Sequence, residues 1–327
     1  MKKQLIMLAC MLVASITAFA GTNSKILLQH EGTVKIFNTD QLDKALTDAV
    51  KGDTIFLPEA TFSGFELTKE VVLRGAGENT VISGDLKIAI AGTPVCTAPL
   101  LESLRITGFL YVNKAIKKLH IKKCFFRYFN VNDKIEEALI DRCASWYWNN
   151  GGYSLGEFNL SSNIVSMTVI NSKVYYIRNN NCNDGAVSFI NCYVSNRSYG
   201  DGQNFINCIF GSAYSSYSDY TLANATLTNC LYNTNSNSSY NSNIGSTCSH
   251  INCYPVDNGQ NSLGALTVEE LTANKYFGID GTVVGPYGGN TPFVDNIAPA
   301  APKVSDASIA LDLDKKKLNV SLKVTAE

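Results

Sequence analysis

The stretch SFINCYVSNRSYGDGQNFINCIFGS, residues 188–212, repeats the tetrapeptide Phe-Ile-Asn-Cys after 16 residues. Each copy follows one pattern: an apolar residue, a spacer, a polar residue, and then Cys or Ser. The fourth residue of this pattern recurs, in steps of 19, 29, 20, 16, 22 and 23 residues, at Cys124, Cys143, Ser172, Cys192, Cys208, Cys230 and Cys253. An irregular period of about 20 residues, with a constant short core and variable inserts, predicts a solenoid whose loops grow on one side.

Two further columns of residues indicate that the repeat consists of strands. One column lies two residues before each unit, and the other lies two residues after its Cys or Ser. The two columns are Leu119, Ala138, Met167, Val187, Gln203, Ala225 and Cys248, and Phe126, Ser145, Val174, Val194, Phe210, Tyr232 and Pro255. A spacing of two is the period of a β-strand, so both columns should point inward in coils that pair in parallel. Residues 189 and 190 are both apolar, as are 205 and 206, and the sequence leaves open which of each pair faces inward.

Stacking explains why cysteine and asparagine recur. Successive coils should lie about 4.8 Å apart, so equivalent residues stack on one another. Cysteine fills a narrow interior as a small apolar residue. Asparagine tolerates the left-handed turn conformation, and its amide can bond to the asparagine of the next coil. Of the 10 cysteines, 9 remain beyond Cys10, and an odd number argues against a complete disulfide framework. We therefore expect free, buried thiols.

The N-terminal residues predict export. Lys2 and Lys3 precede an apolar run that ends in small residues, which is the layout of a cleavable signal peptide over residues 1–20. Its removal lowers Lys+Arg from 27 to 25 against 28 acidic residues, so the net charge changes from −1 to −3. Such a small charge does not indicate nucleic acid as a partner. No later segment has the roughly 18 unbroken apolar residues of a membrane span. We expect a protein that is secreted, periplasmic or at the cell surface.

A capping helix is predicted near residues 39–51. Asn38, Thr39 or Asp40 can begin this helix, and Gly52 can end it. Its apolar face would consist of Leu42, Ala45, Leu46, Ala49 and Val50. Such a helix would close the first end of the solenoid and cover its unpaired strand edge.

The stretch DQLDKALTDAVKGDTIFLPEATFSGFELTKEVVLRGAG, residues 40–77, resembles the opening of pectin lyase-like proteins. In that superfamily an amphipathic helix, a Gly-Asp turn, a first coil and an Arg-Gly-bearing coil begin a right-handed parallel β-helix. With the asparagine column, the resemblance covers roughly residues 33–290, and it implies a fold that hosts lyases, hydrolases, esterases and binding proteins. The usual catalytic signatures of its polysaccharide-cleaving members, Asp-Asp, Gly-His-Gly and Arg-Ile-Lys, do not occur. Asn38-Thr39-Asp40 resembles part of the hydrolase pattern, but we interpret it as the helix cap.

The chain therefore divides into a signal peptide, a β-helix and a tail. We predict a single right-handed parallel β-helix over residues 21–290, with about ten to twelve coils. Residues 291–327 form a Pro-rich linker and a C-terminal β-hairpin, because apolar residues alternate on both sides of a charged loop. A lone hairpin is marginally stable, so we expect it to dock on the solenoid or to contact a protein partner.

The inserts bring one charged cluster together. Arg178 and Arg197 follow equivalent repeat positions, and Asp184 and Asp201 precede the next ones, so the two pairs should lie at one corner of adjacent coils. Two carboxylates one coil apart could bind Ca²⁺ or support acid catalysis. The alternative is that Asp184-Gly185 and Asp201-Gly202 are only turns that the arginines stabilise. Apart from this calcium hypothesis, we expect no cofactor and no other metal, since the three histidines are widely spread.

Aromatic residues among uncharged polar ones form a second candidate site. They are Trp146, Trp148, Tyr153, Tyr199, Tyr214, Tyr217 and Tyr220, and all fall in the inserts. Flat rings with amide and hydroxyl neighbours suit sugars, whose faces are apolar and whose rims need hydrogen bonds. The alternative is that the long loops pack their own tyrosines.

Three functions remain open from the sequence. The first is non-catalytic binding of a polysaccharide or other glycan, or surface display. The second is a polysaccharide lyase or glycoside hydrolase that acts at the Arg178/Asp184/Arg197/Asp201 corner. The third is a structural or adhesive surface protein. A lyase for acidic sugars needs a basic groove, whereas residues 144–265 carry few charges of either sign, so we favour binding.

Overall fold

The inward columns predicted from the sequence form the interior of a parallel β-solenoid of about eight turns, except at the end of the second column. There Tyr232 is half-buried and Pro255 is exposed, because Leu231 points inward in place of Tyr232. The computed structural model describes residues 24–145, 147–149, 152–154, 156–194, 198–199, 201–211, 213–214, 222–234, 240–241, 244, 246–257, 263–295, 303–312 and 317–325. Strands make up 49% of the chain and helices 8%, which confirms the predicted all-β, parallel architecture. The number of turns is lower than the ten to twelve predicted, because the coils end near Val256 and the chain then leaves the solenoid.

The strands form three stacked sheets, and we number them in chain order. The first sheet has the spatial order β2 (Thr33–Asn38), β1 (Lys25–His30), β3 (Thr54–Leu57), β5 (Val72–Gly75), β7 (Leu101–Glu102), β9 (Ile116–Lys122), β11 (Ile135–Asp141), β15 (Met167–Ile170), β18 (Val187–Ile190), β21 (Asn204–Ile206), β24 (Thr226–Thr228) and β27 (Ser249–Ile251). The second sheet consists of β4 (Ala60–Leu67), β6 (Thr80–Ile88), β8 (Arg105–Val112), β10 (Phe125–Val131), β14 (Glu157–Ser161), β17 (Tyr176–Asn180) and β20 (Ser198–Tyr199). The third sheet consists of β16 (Lys173–Val174), β19 (Tyr193–Val194), β22 (Ile209–Phe210), β25 (Leu231–Asn233) and β28 (Tyr254–Val256).

Within the described ranges, two hairpins and one further antiparallel pair of strands lie outside these sheets. They pair β12 (Tyr147–Asn149) with β13 (Gly152–Ser154), β23 (Ala213–Tyr214) with β26 (Tyr240–Asn241), and β29 (Lys303–Asp312) with β30 (Lys317–Thr325). The last of these is the hairpin predicted for the C-terminal tail. No helix in the described ranges is both long and apolar enough to cross a membrane.

Stacked side chains fill the core as the repeat predicts. Phe189 and Phe205, rather than the isoleucines that follow them, point inward, and their rings stack with centroids 5.0 Å apart. Cys192, Cys208 and Cys230 are fully buried in the neighbouring column. The nine cysteines from Cys96 to Cys253 are free thiols, as expected.

The asparagine column lies at a left-handed corner. Asn171, Asn191, Asn207 and Asn229 have φ values of 48° to 55°, a conformation that asparagine tolerates better than most residues. Asn207 Nδ2 donates to Asn191 Oδ1 at 2.9 Å, so the predicted bond between stacked amides forms.

Two antiparallel strands and a short helix close the first end. A 3₁₀ turn over Thr39–Gln41 leads into α1 (Leu42–Asp48), so the helix is shorter than the predicted 39–51. Val50 is 49% exposed and does not belong to the buried face. β1 pairs antiparallel with β3 and covers the strand edge that we expected the helix to cover.

Residues 263–295, which we call the C-terminal strap, fold back along the asparagine corner. The strap contains a 3₁₀ turn, Leu263–Ala265, and the helix α2 (Val268–Ala273). Asn229 Nδ2 donates to the carbonyl of Phe277, and Asn171 Nδ2 donates to that of Gly288 at 2.7 Å. At the far end of the strap, Lys173 Nζ lies 2.6 Å from Asp295 Oδ1. The strap therefore provides hydrogen-bond acceptors for asparagine amides that the stacked coils do not satisfy by themselves.

Replacement of Asn207 by Ala should loosen the strap. Asn207 is 2% exposed, and its Oδ1 accepts a hydrogen bond from the amide of Ile279 at 2.9 Å. We expect Asn207→Ala to lower the free energy of unfolding by about 2–3 kcal/mol, since two buried hydrogen bonds and a left-handed residue are affected. Urea unfolding and hydrogen exchange at Ile279 would measure this. Asn252→Ala, at an exposed position of the same corner with φ 50°, is the control and should cost about 1 kcal/mol. Equal effects of the two variants would contradict the role of the strap.

Candidate functional site

Two outward rows of side chains run along the second sheet. The register of the strands places in one line, which we call the polar row, Glu66, Lys87, Tyr111, Asn130, Asn159 and Arg178. The line beside it, which we call the ring row, consists of Phe109, Tyr128, Glu157 and Tyr176. At about 4.8 Å per coil, the polar row extends for about 24 Å along the solenoid axis. Such a length fits an extended polymer better than a compact ligand.

The ring row exists because β8 contains one residue more than β10 at this point of the sheet. Opposite Arg127 of β10, the β8 strand has two residues, Thr107 and Gly108, which form a β-bulge. The bulge leaves the amide of Phe109 outside the ladder, and this amide donates to Asp85 Oδ1 at 2.9 Å. A Cβ atom on Gly108 would lie 2.5 Å from that same Oδ1, so only glycine fits there. Glycine and Asp85 together hold Phe109 in its outward position.

The rings of this surface stack on one another. The centroids of Phe109 and Tyr128 are 4.4 Å apart at an interplanar angle of 18°, and Phe109 also stacks on Tyr111 at 5.2 Å. The guanidinium carbon of Arg127 lies 5.0 Å from the centre of the Tyr128 ring. Because the faces of Phe109 are occupied by its neighbours, a ligand would meet ring edges and tyrosine hydroxyl groups. The tyrosines combine an apolar ring with a group that can donate or accept a hydrogen bond.

Some polar groups beside the rings form hydrogen bonds or ion pairs, and others have no hydrogen-bond partner. Arg178 Nε lies 2.7 Å from Glu157 Oε1, across one coil. Asn159 Nδ2 donates to Asn130 Oδ1, which continues the amide stack on this face. Asn159 Oδ1 and Arg127 Nε are buried and have no hydrogen-bond partner within the described part of the chain. A buried polar atom without a partner is costly, so these two atoms mark where a ligand group would be stabilised.

The charged corner predicted from the sequence is only partly assembled. Arg178 lies in the polar row and pairs with Glu157. Asp184 and Asp201 lie at stacked turns, since the amide of Gly185 donates to the carbonyl of Gly202 at 2.8 Å. Asp201 Oδ1 accepts a hydrogen bond from the amide of Ala223 at 2.8 Å. Arg197 lies outside the described residues.

The glycines after the two aspartates have turn conformations. Gly185 and Gly202 have φ values of 72° and 71°, as Asp-Gly turns require. A Cβ atom on Gly202 would lie 1.9 Å from Asp184 Oδ1, so the Asp184 carboxylate packs directly over that glycine. Within the described ranges, no group of three or more His, Cys, Asp or Glu side chains is placed to hold a metal ion.

The predicted aromatic residues are distributed over two sheets. Trp148 of β12 pairs with Tyr153 of β13, and this hairpin lies next to β10 of the second sheet. Tyr199 of β20 pairs with Arg178 of β17. Tyr214 of β23 pairs with Tyr240 of β26, and β26 lies next to β25 of the third sheet. Trp146, Tyr217 and Tyr220 lie outside the described residues.

The Cys columns mark the first and third sheets, so they do not predict the rows of the second sheet. The signal was present in β8 and β10. Both GFLYV, residues 108–112, and FFRYFNV, residues 125–131, alternate large apolar residues with tyrosine or asparagine. A register that ignores the bulge between these strands misaligns the rings, so spacing alone could not have paired them.

Comparisons with known proteins add no relative. The chain matches no protein-family profile, no curated protein and no solved structure.

Proposed function

We propose that this protein is an exported glycan-binding β-solenoid that holds a linear polysaccharide along the second sheet without cleaving it. The observation that supports this most directly is the alignment of polar and ring side chains in two rows along the axis. A linear polymer repeats its hydroxyl groups at regular intervals, and a stack of coils repeats its donors and acceptors in the same manner. The two rows could therefore bind successive sugar units with equivalent contacts.

The charges of this face favour a glycan with little net charge. Across the two rows and the charged side chains that contact Phe109 and Tyr128, Glu66, Asp85 and Glu157 are balanced by Lys87, Arg127 and Arg178. Selection of a strongly acidic polymer requires an excess of basic groups. The remaining side chains are amides, hydroxyls and rings, which suit the polar rims and apolar faces of sugars. The resemblance of residues 40–77 to pectin lyase-like proteins agrees with a carbohydrate ligand, and the predicted signal peptide agrees with export.

The test is a binding screen with soluble neutral and acidic polysaccharides, by affinity electrophoresis and calorimetry. We expect the double variant Tyr128→Ala/Asn159→Ala to bind the best ligand at least about tenfold more weakly, since loss of a ring edge and an amide removes 1.4 kcal/mol or more. Asn132→Ala is the matched control. Its amide also bonds to an asparagine of the adjacent coil, Asn113, at 2.9 Å, but it lies beyond the strands.

Three outcomes would contradict the proposal. New reducing ends or unsaturated products would make the protein a hydrolase or a lyase. Equal binding by the double variant and the native protein would place the glycan elsewhere, and a Trp148→Ala variant would then test the β12–β13 hairpin. Absence of binding to every polysaccharide would favour a structural or adhesive role.

A further inference from the structure

A second charged cluster lies on the outward face of the first sheet. One row there alternates in sign from coil to coil through Arg74, Glu102, Lys122 and Asp141. Glu102 accepts from Arg74 Nε at 2.7 Å, and its other oxygen lies 3.1 Å from Lys122 Nζ. Asp141 accepts two hydrogen bonds from Arg142, at 2.9 and 2.7 Å. Each carboxylate thus already pairs with cations, Glu102 with Arg74 and Lys122 of the row and Asp141 with Arg142 beside it.

Lys123 adds a positive charge that this row does not neutralise. Its side chain is partly buried and has no acidic partner among the residues that the structure describes. Burial lowers the pKa of Lys123, and the neighbouring cations Arg142 and Lys122 lower it further. Around Glu102 and Asp141 the cluster has four basic side chains, which leaves a surplus of two positive charges.

Lys123 and Arg142 also interrupt the pattern of the left-handed corner. Their φ values are 50° and 52°, the conformation that asparagine adopts in five later coils. A left-handed backbone costs a residue such as lysine about 1 kcal/mol or more. The column changes from amides to cations beyond Asn171, close to where Asp295 at the end of the described strap meets Lys173. Stacking does not require lysine or arginine here, so their charge needs another explanation.

Two polar atoms at the edge of the cluster have no partner. His120 Nε2 and Ser103 Oγ are both buried and form no hydrogen bond within the described residues. His120 lies two residues before Lys122 on β9, so both side chains point to the same face. Ser103 occupies the position of Lys123 one coil earlier. Both atoms can donate a hydrogen bond, which is what an anion requires.

We propose that this cluster binds a tetrahedral oxyanion, a sulfate or phosphate group, at Lys123 between Arg142 and His120. Lys123 and Arg142 lie at equivalent positions of adjacent coils, and His120 lies on the other side of Lys122 along the chain. A tetrahedral group accepts hydrogen bonds in several directions, whereas a carboxylate accepts them mainly in one plane. The site is independent of the glycan face, because it lies on a different sheet and uses different residues.

Inorganic sulfate is the probe, and acetate at equal ionic strength is the control ligand. We expect sulfate to shift the imidazole resonances of His120 in a saturable manner, while those of His30 and His250 serve as internal references. Lys123→Asn should weaken sulfate binding at least about tenfold, since one charge-assisted hydrogen bond is lost. Asparagine is the residue of this column in later coils, so the variant should keep the fold. The conservative variant Lys123→Arg should retain binding.

The matched control is Lys117→Asn, which removes an exposed lysine from β9, the strand that precedes Lys123. It should change the affinity for sulfate by less than about twofold.

Dextran sulfate, compared with neutral dextran, then distinguishes a sulfate ester on a polymer from the free ion. The proposal would be overturned by equal sulfate affinity in Lys123→Asn and the native protein. It would also be overturned if acetate shifted His120 as sulfate does, or if the resonances of His120 did not respond.

Discussion

Gly156→Ala is expected to destabilise the protein by about 3 kcal/mol or more, because the added methyl group would collide with backbone. A Cβ atom on Gly156 would lie 1.4 Å from the carbonyl oxygen of Ser145 and 3.1 Å from that of Arg127. Backbone atoms cannot rotate away as the end of a flexible side chain can. The chain leaves the coil after Ser145 and re-enters it at Gly156, so the collision would separate the two ends of the insert that carries Trp148. Urea unfolding of the two proteins would measure the change.

Gly52→Ala is a suitable control for this prediction. A Cβ atom on Gly52 has nothing within 4 Å, although its φ of 90° disfavours alanine. Its cost should therefore be conformational alone, about 1–2 kcal/mol. If Gly156→Ala cost no more than Gly52→Ala, the close approach of Gly156 and Ser145 would not exist in solution.

Glu102→Ala should lower the free energy of unfolding by about 3 kcal/mol, since it leaves two cations together in a poorly solvated position. The Glu102 side chain is 9% exposed, and those of Arg74 and Lys122 are 27% and 28% exposed. The isosteric Glu102→Gln removes the charge and retains the shape, so it separates the electrostatic effect from the cavity. Thermal and urea unfolding at neutral pH would rank the native protein above Glu102→Gln and Glu102→Ala.

The same carboxyl group predicts a pH dependence. Burial by itself raises the pKa of Glu102, but the charges and hydrogen bonds of Arg74 and Lys122 outweigh it, so the pKa lies below its ordinary value of 4.5. A depressed folded-state pKa means that the stabilisation is complete above the unfolded value and is lost as the pH falls through the folded value. The difference in stability between the native protein and Glu102→Gln should be constant above pH 5 or so and should shrink below about pH 4.5.

Glu137→Gln is the control for the pH measurement. Glu137 also pairs with a lysine on the first sheet, Lys118, but their side chains are 60% and 48% exposed. An exposed pair contributes about 0.5 kcal/mol or less, so its removal should leave the pH profile nearly unchanged. A profile in which Glu102→Gln and Glu137→Gln behave alike would contradict the buried charge row.

The sequence placed the candidate site less well than it placed the fold. It identified Arg178, which lies in the polar row, and Tyr199, whose backbone pairs with that of Arg178. It did not identify Tyr128 or Asn159, because the second sheet follows the first after a variable number of residues. Residues 144–265 carry few charges, whereas the excess of basic side chains lies earlier in the chain, around Lys123. Charges in different coils become neighbours only when the register of the stack is known.

What the sequence determined by itself is the repeating part of the molecule. A period of two within each strand and of about 20 residues between coils predicts a solenoid of parallel coils in which like residues stack. The buried cysteines and the left-handed asparagines follow from it, whereas the inward orientation of Phe189 and Phe205 came only from the structure. The tertiary structure alone decided which residues share the outward faces, because bulges such as that at Gly108 shift the register by one residue. It also decided the path of the C-terminal strap, since its contacts join residues more than 100 positions apart, such as Asn171 and Gly288. No local pattern specifies such contacts, because they depend on where every intervening coil ends.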